Sequence, residues 1–85
     1  MKMNKVLVKL YVPIIEEQYD ILIPLNRRIY NVIKLLNKGV YELSGGYFKP
    51  NQKHILYDKL TGKPYDLNNS VKETNIRNGK EIVLI

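Results

Sequence analysis

The side chains that could perform acid–base or metal chemistry are few in this 85-residue chain, and their spacing does not bring them together. His54 is the only histidine and there is no cysteine. A lone histidine without clustered acids does not make a zinc site, so we expect His54 at the surface or at the start of a strand. Ser44 and Ser70 are the only serines, and neither has the spacing of a Ser–His–Asp nucleophile.

Two other short motifs resemble functional ones but lack their context. Glu16 and Glu17 are adjacent, and an acid–base pair would need burial to separate its pKa values, so a solvated turn is predicted. Gly45-Gly46 is followed neither by a Lys-Thr pair nor by a helix, so it is not a phosphate-binding loop. We therefore predict no catalytic residues, no metal and no cofactor: the protein is not an enzyme.

The charge balance favours acidic partners. Fourteen basic residues against eight acidic ones give a net charge of +6, which biases the surface toward acidic proteins, nucleic acid or anionic lipid. Lysine dominates over arginine, whose planar guanidinium suits base and phosphate contacts better. A protein partner is therefore favoured, and a basic nucleic-acid binder or other adaptor is the alternative. The other interpretation is that these charges only keep the surface solvated.

The chain is predicted to be one domain, residues 1–85, in the cytoplasm. The apolar stretch at 6–12 is broken by Lys9 and lacks a cleavage site, so it is not a signal peptide. No run reaches the roughly 18 apolar residues that a membrane span needs. A monomer or weak dimer is expected.

Alternating apolar residues predict strands, and one segment has helical spacing. The strands are expected at 4–12, 19–25, 54–58, 63–67 and 80–85. Asn26 is the expected N-cap of a helix whose apolar face has spacings of three and four: Ile29, Val32, Ile33, Leu36, Val40 and Leu43. Gly39 is unfavourable inside a helix, so the helix ends either there or at 44–46.

A sheet with one apolar face needs a cover, and the single long helix supplies it. We therefore predict an α+β fold of the ubiquitin-like β-grasp type, with a mixed four- to five-stranded sheet on one helix. The first and last strands are the most apolar and should be central and parallel. Pro24 and Pro64 place their strands at the edges because proline cannot donate to a ladder. Ser70 and Glu73 form a capping-box pattern for about one helical turn.

Two surfaces are candidates for partner binding. Tyr30, Lys34 and Tyr41 lie along one flank of the helix, and exposed tyrosine beside lysine suits protein recognition. The alternative is that these rings only cover the rim of a small core.

The second candidate is the exposed face of the sheet. With Ile55 and Tyr57 directed to the core, Leu56, Val83 and Ile85 are expected to point outward, where apolar patches mark contacts. The alternative is a strand register shifted by one residue, which would bury them.

The segment 56–85 resembles the second half of ubiquitin, most sharply at Gly62-Lys63, Ser70 and Asn75-Ile76. The chain is also similar to the YukD/EsaB family of type VII secretion accessory proteins. That similarity lies in the second strand at 19–22, the Val32-Ile33 helix core and the ending at 76–85. The resemblance implies a cytosolic, non-catalytic protein that supports or regulates the secretion of WXG100-type substrates. The given sequence ends in a strand without Gly-Gly, so conjugation is not expected.

Overall fold

The computed structural model describes residues 4–51 and 53–85, which form a four-stranded mixed sheet covered on one face by a single helix. Single 3-10 turns occur at Pro13–Ile15 and Val71–Glu73. The α+β arrangement predicted from the sequence is confirmed, with four strands. The elements in chain order are β1 (Lys5–Val12), β2 (Glu17–Pro24), α1 (Ile29–Leu43), β3 (Leu56–Asp58) and β4 (Glu81–Leu84).

The strand order is β2-β1-β4-β3, with β1 and β4 parallel and both other pairs antiparallel. The first and last strands are therefore central, as predicted, and β2 is an edge strand that ends at Pro24. The short edge strand expected at 63–67 does not form: within it only Pro64 makes a bridge, to Tyr57. Of the four or five strands predicted, four are present. The backbone N–H of Asp58 donates to the carbonyl of Lys63, and that of Tyr65 donates to the carbonyl of Leu56, so these two hydrogen bonds flank the bridge.

The register of β3 differs by one residue from the prediction. Leu56 and Asp58 are buried, while Ile55 and Tyr57 are only half-buried. Leu56 pairs with Leu84 across the sheet, and directly opposed residues point to the same face. Because Leu84 faces the core, Leu56 must face it too. Leu56 is fully buried, so its predicted place on the exposed face is wrong: its side chain is not on the surface.

Helix α1 begins two residues later than expected. Arg28, not Asn26, is its N-cap, because residues 27–29 first pair with the segment around Ser70. Ile29 N–H donates to Asn69 at 2.8 Å and Val71 N–H donates to Arg27 at 2.9 Å. These backbone hydrogen bonds hold Arg28 in an extended conformation, which local capping preference alone does not predict.

The helix passes through Gly39 and ends at Leu43, with Ser44 as its C-cap. Leu43 is 61% exposed, so the predicted apolar face is confirmed except at its last residue. Gly45 has φ 66° and Gly46 φ 86°, the left-handed region that terminates helices.

The loop after the helix contributes to the core through the only phenylalanine. Phe48 is fully buried, its N–H donates to Ser44 Oγ at 2.9 Å, and its ring centroid lies 4.8 Å from that of His54. His54 is buried against it, two residues before β3. Of the two positions predicted for this histidine, the surface is therefore wrong, and the residue lies just ahead of a strand. The loop is therefore fixed against the rest of the core, which also contains Val8, Leu10, Val12, Ile29, Val32, Leu36, Val40, Leu56, Val71, Ile76, Ile82 and Leu84.

Candidate protein-binding surfaces

A groove of about 910 Å³ runs along the flank of α1, between the helix and residues Pro50, Asn51, His54 and Ile55. Tyr30, Lys34 and Tyr41 line it, so the structure brings together the three helix residues that the sequence singled out. Lys34 lies four positions after Tyr30, and Tyr41 lies seven positions after Lys34, so the three share one stripe of the helix beside the buried face. Lys38 belongs to the same stripe. We call this the helix-flank groove.

The groove combines apolar surface with exposed rings. Ile33, Ile55 and Leu67 supply aliphatic surface, and Leu67 is 41% exposed although it is apolar. Tyr30 and Tyr41 are 41% and 46% exposed, so their rings are accessible to a partner rather than packed within the core. A partly apolar concavity with a few polar groups is the usual form of a binding site.

The electrostatics of the groove are one-sided. Lys34 and Lys38 are exposed and one helical turn apart, and no aspartate or glutamate lines the groove. Within residues 4–51 and 53–85, the ion pairs involve Lys59 and Lys80, and neither groove lysine forms one. The Lys34 ammonium lies 5.8 Å from the centroid of the Tyr30 ring, a cation–π distance that neutralises no charge.

The far wall of the groove is held by the loop after the helix. Asn37 on α1 donates from Nδ2 to the carbonyl of Asn51 at 3.3 Å. Its Oδ1 is buried and accepts no hydrogen bond from the residues that the structure describes. His54 Nε2 lies 3.5 Å from the carbonyl oxygen of Lys49, the outer limit of a hydrogen bond. Burial of the neighbouring Phe48 therefore fixes the wall more firmly than these long polar contacts.

The outer face of the sheet is the second candidate. Val83 is half-buried between its cross-strand partners Tyr11 and Tyr57. Ile85 is 59% exposed, and its backbone exchanges two hydrogen bonds with Ile55, of 2.7 and 3.0 Å. Of the three apolar residues predicted for this face, Val83 and Ile85 lie on it and Leu56 does not.

The polar residues of the outer face satisfy one another. Tyr11 donates its hydroxyl to Glu81 Oε2 at 2.7 Å, and Lys59 Nζ lies 3.9 Å from the same oxygen. The Lys59 ammonium is also 4.6 Å from the centroid of the Tyr11 ring. The Tyr11 hydrogen bond lowers the pKa of Glu81, and the carboxylate raises the pKa of Tyr11. We call Tyr11, Lys59 and Glu81 the sheet-face cluster; it borders a depression of about 410 Å³.

One carboxylate, Asp58, lies inside the fold. It accepts hydrogen bonds from Leu60 N–H at 2.8 Å and Asn75 Nδ2 at 2.9 Å, and its Oδ1 is 3.0 Å from Lys80 Nζ. The Asn75 hydrogen bond, followed by the Lys80 interaction, lowers the pKa of Asp58 to about 2. This carboxylate is fully engaged by structural partners and is not available as an acid or base near neutral pH.

The remaining predicted positions lie where a structural role explains them. Glu16 and Glu17 are exposed on the β1–β2 hairpin, as expected for a solvated turn. Ser70 N–H and Oγ both donate to Glu73 Oε1 at 2.8 Å, which confirms the glutamate half of the capping box. Among residues 4–51 and 53–85, no three metal-binding side chains converge.

Sequence reasoning missed Lys38 and Leu67 in the groove. Lys38 lies four residues after Lys34, so helical spacing alone would have found it. Leu67 lies in an irregular segment that only the tertiary fold brings to the helix, and no local signal marks it.

Comparison with known proteins shows the fold. No family model and no curated protein matches this sequence. Among solved structures, the chain is similar to the EccD5 ubiquitin-like domain from Mycobacterium xenopi, with a TM-score of 0.71 and 18% identity over 98% of this chain and 94% of that one. The protein therefore has the ubiquitin-like β-grasp fold.

Two further similarities show how widely the fold is used. A chain of an ESX-5 inner membrane complex matches with a TM-score of 0.72 and 17% identity over 98% of this protein, which spans 21% of that chain. A chain of the toluene 4-monooxygenase HD complex matches with a TM-score of 0.75 and 11% identity, over 94% of this chain and 95% of that one. Sequence identities this low show a shared fold and do not show that the proteins share an activity.

No helix in the described part of the chain is long and apolar enough to span a membrane.

Proposed function

We propose that this protein is a non-catalytic, protein-binding module of the cytoplasm that serves as an accessory or regulator of a type VII secretion system. The observation that carries the binding role is the helix-flank groove, where exposed Tyr30, Lys34 and Tyr41 border accessible aliphatic surface. Exposed tyrosines beside apolar surface are typical of protein contacts.

Two independent similarities support the secretion role. The sequence resembles the YukD/EsaB family at its second strand, helix core and last strand. The fold resembles the EccD5 domain and a chain of the ESX-5 inner membrane complex.

The arrangement of ionisable groups also favours binding over catalysis. Asp58 is held by Lys80 and Asn75, and Glu81 is held by Tyr11 and Lys59. His54 is buried against Phe48 and lies beside no carboxylate of the described residues within ion-pair distance. General acid–base catalysis needs a titratable group that can reach a substrate, and these groups are committed to the fold.

Affinity capture from the native organism tests the proposal. The tagged protein is expected to recover a membrane or substrate component of a type VII system after mild crosslinking. Tyr30→Ala combined with Tyr41→Ala should reduce that recovery, because both rings are exposed and their loss leaves the core intact. Leu22→Ala, an exposed control on the opposite edge of the sheet, should not. Recovery of no secretion component would remove the assignment.

A nucleic-acid-binding role is the second candidate, supported by the net charge of +6 and the pair of groove lysines. Titration with single- and double-stranded oligonucleotides at several salt concentrations separates the two. A phosphate-binding protein loses affinity steeply and linearly in log–log form as salt rises. The protein-binding proposal expects no tight oligonucleotide complex at physiological salt.

A further inference from the structure

We infer that the helix-flank groove binds a short acidic segment of the partner protein, in which carboxylates flank one or two aliphatic side chains. This inference rests on the proposed function, because it names the chemistry of the partner that the binding module captures.

The groove has the dimensions of a peptide site. Its volume of about 910 Å³ falls in the range of roughly 300–1,000 Å³ that is usual for ligand pockets. It follows α1 from Tyr30 to Tyr41, about three helical turns, so it is elongated along the helix. A few residues of a chain fill such a shape, whereas a flat domain surface would not enter it.

The charge of the groove selects an acidic occupant. Lys34 and Lys38 are its charged lining residues, and neither forms an ion pair within the described part of the chain. In contrast, Lys59 on the sheet is beside Glu81, and Lys80 is beside Asp58. A carboxylate of a partner therefore gains its full interaction at the groove, because it displaces no internal counter-charge.

The apolar surface selects aliphatic side chains between the carboxylates. Ile33, Ile55 and Leu67 are the aliphatic lining residues, and Leu67 is accessible at the rim. A nucleic acid would instead stack its bases on aromatic platforms and use arginine forks for phosphate. The groove exposes two tyrosine rings, Tyr30 and Tyr41, but no arginine lines it. Its branched aliphatic carbons have no counterpart on a nucleic acid, so an acidic peptide is the better match.

Fluorescence anisotropy with defined peptides tests the inference on the full chain. The first probe is a fluorescein-labelled peptide in which two leucines are flanked on both sides by glutamates. The second probe replaces every glutamate by glutamine. We expect the glutamate peptide to bind about tenfold more tightly than the glutamine peptide, as two charge contacts at a partly desolvated surface imply. Equal binding of the two peptides would overturn the charge argument, and no binding of the glutamate peptide would overturn the inference.

Matched charge reversals locate the site. The combined variant Lys34→Glu, Lys38→Glu is expected to lower the affinity for the glutamate peptide by about tenfold or more. Lys5→Glu combined with Lys63→Glu changes the net charge by the same amount at exposed positions outside the groove and should leave the affinity within about twofold. Equal losses in both variants would mean that overall charge, and not the groove, attracts the peptide.

Two further measurements make the test independent of the charge reversals. Leu67→Ser leaves the net charge unchanged and should lower the affinity for the glutamate peptide. Thermal melting verifies that each variant is folded. In amide NMR spectra, the peptide should shift the signals of Lys34, Lys38 and Leu67. Shifts confined to the sheet-face cluster, or displacement of the peptide by an oligonucleotide of random sequence, would contradict the inference.

The capture experiment separates this inference from the proposed function. If a secretion component is recovered equally by the wild type and by the Lys34→Glu, Lys38→Glu variant, the function stands and the groove is not its site. If the glutamate peptide binds the groove but no secretion component is recovered, the groove stands and the secretion role fails.

Discussion

The helix-flank groove and the sheet-face cluster both place lysine beside an aromatic side chain, but only in the cluster does the lysine form an ion pair with a carboxylate. On the sheet, Lys59 lies beside Glu81 and over the Tyr11 ring. In the groove, Lys34 and Lys38 have no carboxylate partner within residues 4–51 and 53–85. An internal ion pair must be broken or shared before a partner can use it, so unneutralised charge beside accessible apolar surface is the better indicator of a binding site.

The two regions also differ in what supports them. The outer face lies on hydrogen-bonded strands, with Leu7 opposite Leu22 and Tyr11 opposite both Gln18 and Val83. One wall of the groove is the loop after α1, held to the core by Phe48. The groove should therefore be the more sensitive of the two regions to changes in the core.

The largest effect is expected from Phe48→Ala. It removes a fully buried ring from beneath the groove wall, and such changes cost about 3–5 kcal/mol. Urea unfolding should show this loss, and the groove should lose peptide affinity at temperatures where the variant is still folded. As a control, Tyr47→Ala changes an adjacent exposed ring and should cost less than about 0.5 kcal/mol. Similar losses in the two variants would show that the loop does not depend on Phe48.

Asp58→Asn should have the next largest effect. It removes the charge that faces Lys80 and leaves that ammonium partly buried without a counter-charge, a change that costs about 3 kcal/mol. The comparison predicts the opposite for a groove lysine: Lys34→Met should change the free energy of unfolding by less than about 0.5 kcal/mol. If Lys34→Met were as destabilising as Asp58→Asn, the distinction between structural and unneutralised lysines would be wrong.

The pH dependence of stability tests the structural role of Asp58 without a mutation in the groove. The folded pKa of Asp58, about 2, is below its ordinary value of 3.8. The unfolded state therefore binds more protons on acidification, and this group contributes about 2 kcal/mol above pH 4 that is lost as pH falls toward 2. Unfolding by urea at pH 5, 4, 3 and 2 should show this fall in the wild type and a shallower one in Asp58→Asn. Parallel curves would mean that other carboxyls account for the acid sensitivity.

A small effect on stability, and the sharpest test of the comparison, is expected from Glu81→Gln. The ion pair with Lys59 is exposed, so its loss should change the free energy of unfolding little. Lys59 would then lack its counter-charge, as the groove lysines do. Amide NMR should show that the glutamate peptide perturbs Lys59 and Tyr11 in this variant and not in the wild type. An unchanged spectrum at these residues would indicate that charge alone does not make a site.

Much of the fold follows from local pattern. The alternation of Val6, Val8, Leu10 and Val12 fixes which face of β1 is buried, since each inward side chain carries a large apolar group. The same holds for Ile82 and Leu84 in β4. The spacing of Ile29, Val32, Ile33 and Leu36 fixes the buried stripe of α1, and with it the flank that carries Tyr30, Lys34 and Tyr41.

Local pattern failed where an element was short or where its boundary depended on a distant segment. β3 has three residues, too few for alternation to decide between two registers, and Leu56 was therefore placed outside. The start of α1 depends on hydrogen bonds between residues 27–29 and 69–71, whose partners are 40 and 44 positions apart. The capping preference of Asn26 is worth about 1 kcal/mol and was overridden by these bonds.

The sequence by itself determined the covered sheet, the parallel central strands and the helix flank with its tyrosines and lysine, because these depend on the period of apolar residues within each element. Only the tertiary structure decided that Leu56 and Asp58 are buried, that Phe48 and His54 hold the loop, and that Leu67 completes the groove. It also decided which lysines are neutralised. These features depend on contacts between residues far apart in the chain. Local sequence spacing does not determine which charged side chains form ion pairs.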